Sequence, residues 1–301
     1  MKKLEQKGFK GADAPLRFNV DGNNILFRTI KDRVFKSVII FFSFLSIIPL
    51  FSILYYIVKN GIFVINWDFL TSLPKPVGEA GGGISNAIIG TLILIAISCI
   101  FSVPLGVSAG IYLSEHKQGK LPYVVRLCVE VLQGIPSIVI GIIAYVWVVV
   151  PMRNPSALSG GVALGIMMLP VIIKTTEETL KLVPLSLKEA SLALGVPYFR
   201  TILKVILPAG ISGIMTGILL SVARIAGETA PLLFTAFGNP FMNFNVLKPI
   251  NSLPLLVFNY ATSPYNEWIS LAWGASFVLA VLVLSLNLTA KLVARKWKVQ
   301  F

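Results

Sequence analysis

Long apolar segments alternate with short polar ones along almost the whole chain. Six apolar segments approach or exceed the roughly 20 residues that a helix needs to cross the hydrocarbon core of a bilayer. The second and fifth exceed that minimum, which favours tilted or irregular helices. The pattern predicts an all-α polytopic membrane protein with six transmembrane helices. These segments cover approximately residues 36–58, 85–113, 131–151, 160–177, 209–237 and 268–293.

One polar-to-amphipathic stretch, residues 184–208, interrupts the later apolar segments. Ser186 and Glu189 have the spacing of a capping box, in which hydroxyl and carboxylate satisfy backbone N–H groups at a helix start. Gly195 is suited to a left-handed helix stop, and Pro197 to the first turn of a following helix. The stretch therefore predicts two short helices with a kink between them.

The second of these predicted helices is amphipathic. A stripe of apolar residues recurs at helical spacing, and two cations lie off it. One face is therefore expected on protein or lipid and the other in water. On the residues alone, an ordinary interfacial loop and a docking site both remain open. The stripe consists of Phe199, Ile202, Leu203 and Ile206, and the cations are Arg200 and Lys204.

Composition and charge support a membrane protein. Of the 301 residues 55% are hydrophobic, the mean hydropathy is +0.82 and the formal net charge is +13. In a soluble chain that charge would suggest nucleic acid. Here most Lys and Arg residues fall on the side of the N-terminus, which the positive-inside rule assigns to the cytoplasm. Only Lys59, Lys75, Arg153 and Lys248 fall on the opposite side, and Arg224 lies within the fifth span.

The predicted organisation has five parts, and both termini are expected in the cytoplasm. No cleavable signal peptide is expected, because some 35 polar residues precede the first apolar run. The parts are a cytoplasmic, disordered or surface-lying tail (1–33), a first transmembrane helix (34–58), an external loop (59–84), a core of five transmembrane helices (85–294) and a cytoplasmic tail (295–301).

The sequence offers few candidates for a catalytic or metal-binding site. Cys99 and Cys128 form no disulfide framework, and the lone His116 lies in a short basic loop, where a solvated role is expected. The glycines at 78–83 lack the Lys and Ser/Thr of a phosphate-binding loop. We expect no catalytic residues, no metal site, no cofactor and no ATPase site.

The fifth span contains Arg224 and Glu228, four residues apart. An ionised side chain at membrane depth costs about 2.5–3.5 kcal/mol on insertion scales and usually faces a cavity or a partner, so the pair is expected to face inward. One interpretation is a mutual salt bridge. The other is a substrate path, in which Arg224 offers its guanidinium fork to a tetrahedral oxyanion and Glu228 accepts a proton that the anion carries.

The 184–208 stretch also resembles the coupling loop of ABC importer permeases, whose pattern is E-A-A, three residues, G, nine residues, then I-x-L-P. Ser191 replaces the third-position Ala and Val205 replaces the Ile. The resemblance implies a type I ABC importer permease fold, with Ser186 to Gly195 docking onto an ATPase subunit. The residues in register are Glu189, Ala190, Gly195, Leu207 and Pro208.

Four further stretches resemble the phosphate-specific branch of these permeases: GGISNAIIGTL, GIPSIVIG, LPVIIKTTEETLKLVP and GETAP. The last, at Gly227 to Pro231, is similar to the A-type subunit and places Thr229 beside Glu228 in the substrate path. The resemblance covers roughly residues 82–294. It implies a cell-membrane permease for inorganic phosphate, with a homologous C-type permease, a cytoplasmic ATPase dimer and an extracytoplasmic phosphate-binding protein as partners, surrounded by membrane lipid and without nucleic acid.

Three alternatives remain. A proton-coupled secondary transporter could use Glu228 as its proton carrier, but inverted repeats and usually more spans would be expected. An ABC permease could carry another oxyanion such as phosphonate. A membrane scaffold without transport would have no need of a buried Arg–Glu pair.

Overall fold

The computed structural model describes the backbone of residues 22–79 and 81–296 and the side chains of residues 27–79, 81–289, 291 and 292. These residues form helices and loops without a β-strand, apart from an isolated bridge between Phe237 and Ile250. The all-helical prediction is confirmed. The helices are α1 (Gly22–Gly61), α2 (Trp67–Thr71), α3 (Ser85–Glu115), α4 (Lys120–Gly134), α5 (Ser137–Ala144), α6 (Val150–Met152), α7 (Ala157–Lys181), α8 (Leu185–Ala193), α9 (Tyr198–Thr201), α10 (Leu207–Ile225), α11 (Ala230–Thr235), α12 (Leu253–Ala261) and α13 (Asn266–Lys296).

The chain divides into two compact units, with the boundary between Tyr55 and Tyr56. In the first unit α1 begins at Gly22, before the predicted boundary at residue 34, and carries an Asp32–Lys36 ion pair of 2.7 Å. The first 21 residues of the predicted tail, and residues 297–301 of the C-terminal tail, lie outside the described residues.

Within the described residues, five helices are long and apolar enough to cross a membrane. Residues Lys120–Gly134 and Ser137–Met152 qualify together as a sixth span, bent by 110°. Our predicted third span, 131–151, overlooks this bend. It occurs because Pro136 offers no N–H and holds Ile135 in an extended conformation, φ −75° and ψ 131°.

Helices α3 and α7 run parallel, and hydroxyl groups join them. Ser98 Oγ donates to Gly161 O at 3.0 Å, and one turn along Ser102 Oγ donates to Gly165 O at 2.7 Å. Because both helices run in the same direction, the chain between them must return to its starting end. The bent pair of α4 and α5 therefore makes the return crossing, which brings the candidate spans among the described residues to six.

Glycines bring α3 and α7 close together. A Cβ added at Gly106 would lie 2.7 Å from Ile172 Cγ2, and one at Gly110 would lie 2.5 Å from Thr176 Cβ. Small residues four apart allow such an approach in membranes, where hydrophobicity cannot drive helix association. The glycines thus define the α3–α7 contact.

Helix α10 packs antiparallel on α7. A Cβ at Gly217 would lie 2.0 Å from Thr175 Oγ1, and one at Gly210 would lie 2.7 Å from Leu180 Cδ2. The helix does not continue to residue 237 as predicted, because α10 ends at Ile225 and α11 starts at Ala230. This break agrees with the expectation, drawn from its length, that the fifth span is tilted or irregular.

The loop between α11 and α12 covers the starts of α3 and α7. Lys248 O accepts from Ala157 N at 3.0 Å, and Asn86 Nδ2 donates to Asn239 O at 2.7 Å. The first contact supplies a partner for a backbone N–H at the start of α7 that has none within the helix, and the second attaches a side chain of α3 to the loop. The loop is therefore packed as a cap on this end of the bundle.

Candidate coupling segment and substrate path

The segment 184–208, here called the coupling segment, folds as two short helices joined by a tight turn. Pro184 has an extended conformation and is the N-cap of α8, so Ser186 is already the second helical residue and makes no cap hydrogen bond. The predicted capping box with Glu189 is wrong. Gly195 has φ +75°, which confirms the left-handed stop, and Pro197 lies one position before α9 as its N-cap.

The predicted apolar stripe is only half buried. Ile202 and Ile206 are buried, whereas Phe199 is 71% and Leu203 42% exposed. Residues Ile202–Ile206 form a π-helical turn, in which each turn takes more residues than an α-helix and the facing positions shift. The stripe is thus divided between the interior of the chain and a surface that can meet lipid or a partner.

Glu115 at the end of α3 fastens the coupling segment to the bundle. Its Oε2 accepts hydrogen bonds from Lys188 Nζ on α8 and from the Tyr198 hydroxyl at the start of α9. Lys188 Nζ also lies 4.8 Å from the centroid of the Tyr198 ring. Burial lowers the pKa of Lys188, but its hydrogen bonds to Glu115 and Tyr198 outweigh burial and hold that pKa above the usual value. Lys188 is therefore charged at neutral pH.

A second contact joins α8 to α9. The hydroxyls of Ser191 and Thr201 are buried and lie 2.9 Å apart. Ser191 is the position at which the sequence departs from the Ala of the coupling-loop pattern. Here the substituted hydroxyl gains a partner, so the departure is accommodated.

Glu177 near the end of α7 holds two cations. Its Oε1 accepts from Lys181 Nζ at 2.6 Å and from Arg126 Nε of α4 at 2.8 Å. Arg126 Nη2 also donates to Leu113 O of α3 at 2.9 Å. The Glu177–Lys181 pair is local, because the two residues are four apart on α7. Arg126 was missed, and it links three helices.

Large apolar side chains near and within the coupling segment are exposed beside Glu189 and Ala190, which are also exposed. Leu207 is half-buried and Pro208 is exposed at the start of α10. Several large apolar side chains exposed in one short segment favour contact with another protein or with lipid. The large side chains and their exposed fractions are Leu182 (83%), Leu185 (65%), Leu194 (83%) and Phe199 (71%).

The predicted substrate-path residues lie around the break between α10 and α11. Arg224 occupies the last turn of α10, Thr229 is the N-cap of α11, and Glu228 lies between the two helices. Arg224 Nε and Glu228 Oε1 are 3.8 Å apart, and the side chains are 54% and 21% exposed. We expected the pair to face inward, but within this chain both side chains remain partly exposed and neither points into the helix bundle's buried core. At that separation the guanidinium N–H groups also remain available to another acceptor.

Comparison with known proteins decides the family. The sequence model of one protein family matches residues 102–299, and that family is described as "Binding-protein-dependent transport system inner membrane component". The chain belongs to this permease family.

Curated relatives of this permease are similar over most of its length. The phosphate transport system permease protein PstA of Yersinia pestis is 44% identical over 247 residues, covering 82% of this chain and 84% of the relative. PstA of Pasteurella multocida is 38% identical over 267 residues, covering 88% and 95%. PstA 1 of Mycobacterium tuberculosis (strain CDC 1551 / Oshkosh) is 36% identical over 283 residues, covering 89% and 92%.

Solved transporters share the permease fold. An inward-facing MetNI methionine ABC transporter has a TM-score of 0.58 at 18% identity and covers 72% of this chain and 95% of that one. An amino acid ABC transporter crystallised with histidines has a TM-score of 0.52 at 17% identity, with coverages of 71% and 93%. At these identities the likeness concerns the fold, and it confirms the predicted ABC importer permease architecture.

Proposed function

We propose that this permease is one subunit of an ATP-driven importer of inorganic phosphate. The main support for this proposal is the similarity to proteins named phosphate transport system permease protein PstA, at up to 44% identity over 82% of the chain. In this proposal a homologous C-type permease forms the other half of the pathway. A separate ATPase dimer supplies energy, and an extracytoplasmic protein delivers phosphate.

In the proposed importer, the exposed face of α8 contacts the ATPase. Ser186, Glu189 and Ala190 lie on this exposed helix, and Gly195 sets the turn that follows it. Because Glu115 joins α8 and α9 to α3, a displacement of α8 pulls directly on a spanning helix. Leu207 and Pro208 form the first turn of α10.

Arg224, Glu228 and Thr229 are proposed to line the phosphate path. The half-exposed guanidinium of Arg224 lies on a surface that a second permease subunit would complete. It would bind the oxyanion through paired hydrogen bonds, while Glu228 accepts a proton from phosphate. The Thr229 hydroxyl offers a further donor at the break in the helix.

The test is phosphate-stimulated ATPase activity and phosphate uptake by the assembled complex in liposomes. Glu189→Lys is expected to disrupt ATPase assembly or coupling, because it reverses a charge on the exposed helix. Arg224→Ala should leave assembly intact and abolish uptake. Glu79→Lys, an exposed carboxylate outside the coupling segment, is the matched control and should transport normally. Normal transport by both Glu189→Lys and Arg224→Ala would reject these roles.

A further inference from the structure

A cleft of about 350 Å³ lies between the coupling segment and the ends of α3 and α7. Lys188 of α8 lines this cleft, whereas the neighbouring Glu189 does not. Glu189, the carboxylate of the proposed ATPase contact, therefore lies outside the cleft, although Leu185 of α8 belongs to both surfaces. Its polar and charged lining comprises Ser114, Glu115, Lys117, Lys181 and Lys188.

Cations outnumber carboxylates around the cleft. Lys117 is exposed and makes no ion pair with any described carboxylate. Lys181 and Lys188 are each paired with one carboxylate, but an ammonium group has three donors, so each pair leaves hydrogen-bonding capacity. The lining is thus electropositive and has donors to spare.

The position of Lys117 is fixed by the neighbouring helix. Its backbone carbonyl accepts a hydrogen bond from Arg126 Nη1 at 3.2 Å, and Arg126 is itself held by Glu177. The turn that carries Lys117 is therefore anchored at the rim of the cleft. Arg126 adds a further positive charge close by.

The N-terminus of α8 also favours an anion in the cleft. Pro184 and Leu185 line the cleft, and no side chain caps this helix start. Uncapped N–H groups and the helix dipole both favour a negative charge there. This adds to the ammonium groups, which come from three different segments of the chain.

We propose that this cleft binds a phosphate-bearing anion, either free inorganic phosphate or the headgroup of an anionic lipid. A phosphate group offers several acceptor oxygens, which suits ammonium groups arriving from α7, α8 and the turn after α3. Bound there, it ties α8 to the ends of α3 and α7 and stabilises one position of the coupling segment. That mechanical consequence rests on the proposed coupling role, whereas the binding itself does not.

The first experiment measures binding of inorganic phosphate to the full chain in nanodiscs of phosphatidylcholine, by isothermal titration calorimetry without ATP. All proteins carry Arg224→Ala, so that the proposed substrate path does not contribute. Lys117→Gln is expected to raise the Kd at least about tenfold, which corresponds to a loss of about 1.4 kcal/mol for one charged hydrogen bond. Lys120→Gln removes the same charge from an exposed lysine outside the lining and should leave the Kd unchanged.

The second arm replaces free phosphate with nanodiscs containing phosphatidylglycerol and measures acetylation of individual lysines by mass spectrometry. Protection of Lys117 and Lys188, but not Lys120, relative to phosphatidylcholine identifies a lipid headgroup as the ligand. Protection by inorganic phosphate alone identifies the free anion. If neither probe protects Lys117 and its replacement alters no binding, the proposal is overturned. Neither experiment depends on ATP or on transport. The binding result can therefore be interpreted even if the proposed importer function is wrong.

Discussion

One carboxylate, Glu177, stands between cations of two helices, and its removal would leave Arg126 and Lys181 facing each other. Glu177→Gln is expected to lower the free energy of unfolding by about 2 kcal/mol, because both cations lose their partner while still partly reaching water. The measurement is thermal unfolding of the purified chain in detergent.

The neighbouring Glu178 is exposed and has no described ion pair, so Glu178→Gln provides the matched control. It should unfold within about 0.5 kcal/mol of the original chain. Equal losses for the two variants would mean that total charge, rather than the contact with Arg126, determines stability at this end of the bundle.

Glu228 provides a test of ion selectivity. Phosphate at neutral pH still carries protons and sulfate does not, so a nearby carboxylate accepts from phosphate and repels sulfate. Glu228→Gln is expected to reduce phosphate uptake by the assembled complex and to weaken the exclusion of sulfate. Uptake of both radiolabelled anions in liposomes gives the answer, and unchanged phosphate uptake would contradict the role.

At the scale of residues, a sequence can suggest partners only within about one helical turn, and even there the backbone decides whether they meet. Glu177 and Lys181 are four residues apart on one helix and form a pair, whereas Ser186 and Glu189 are three apart and form no cap. Arg126 is 51 residues from Glu177, and Lys188 is 73 residues from Glu115. A single sequence gives the charges of such residues but not their proximity, because tertiary packing alone brings them together.

Among the elements, α3 and α7 depend most clearly on small residues. Gly110→Ala places a Cβ 2.5 Å from Thr176 Cβ, so the helices must separate. The expected loss is about 1–3 kcal/mol, measured as unfolding in detergent. Gly134→Ala is the control, because a Cβ there meets nothing within 4 Å. Alanine favours a helix more than glycine does, so a similar loss in Gly134→Ala would contradict the interhelical contact as the cause.

The positions of the spanning helices were predictable, because the length of an apolar segment is a strong signal in membrane proteins. The breaks within those helices were harder to predict. Pro136 was tolerated inside a predicted span, yet it divides the span with a 110° bend. Likewise, the Ser186 hydroxyl has the sequence spacing of a cap, but Pro184 starts α8 earlier. Both errors arise because the spacing of apolar and polar residues does not predict where the backbone changes direction.

For the whole molecule, the predicted orientation is open to direct labelling. With Cys99 and Cys128 replaced by Ala, a cysteine introduced at Asn245 should react with a membrane-impermeant maleimide in intact cells. One introduced at Lys120 should react only after permeabilisation, because the positive-inside rule places that loop in the cytoplasm. Both positions are exposed. The opposite labelling pattern would invert the topology and move the coupling segment to the outside.

The parallel arrangement of α3 and α7 also determines when during synthesis the bundle can close. Ser98 of α3 bonds to a carbonyl 63 residues later in the chain, on the far side of the bent pair. At a synthesis rate of about 5–20 residues per second, α3 waits roughly 3–13 s for this partner. During that interval its glycine face and hydroxyls lie against lipid or the insertion machinery. The newly made chain is thus most vulnerable to misassembly and proteolysis before α7 arrives.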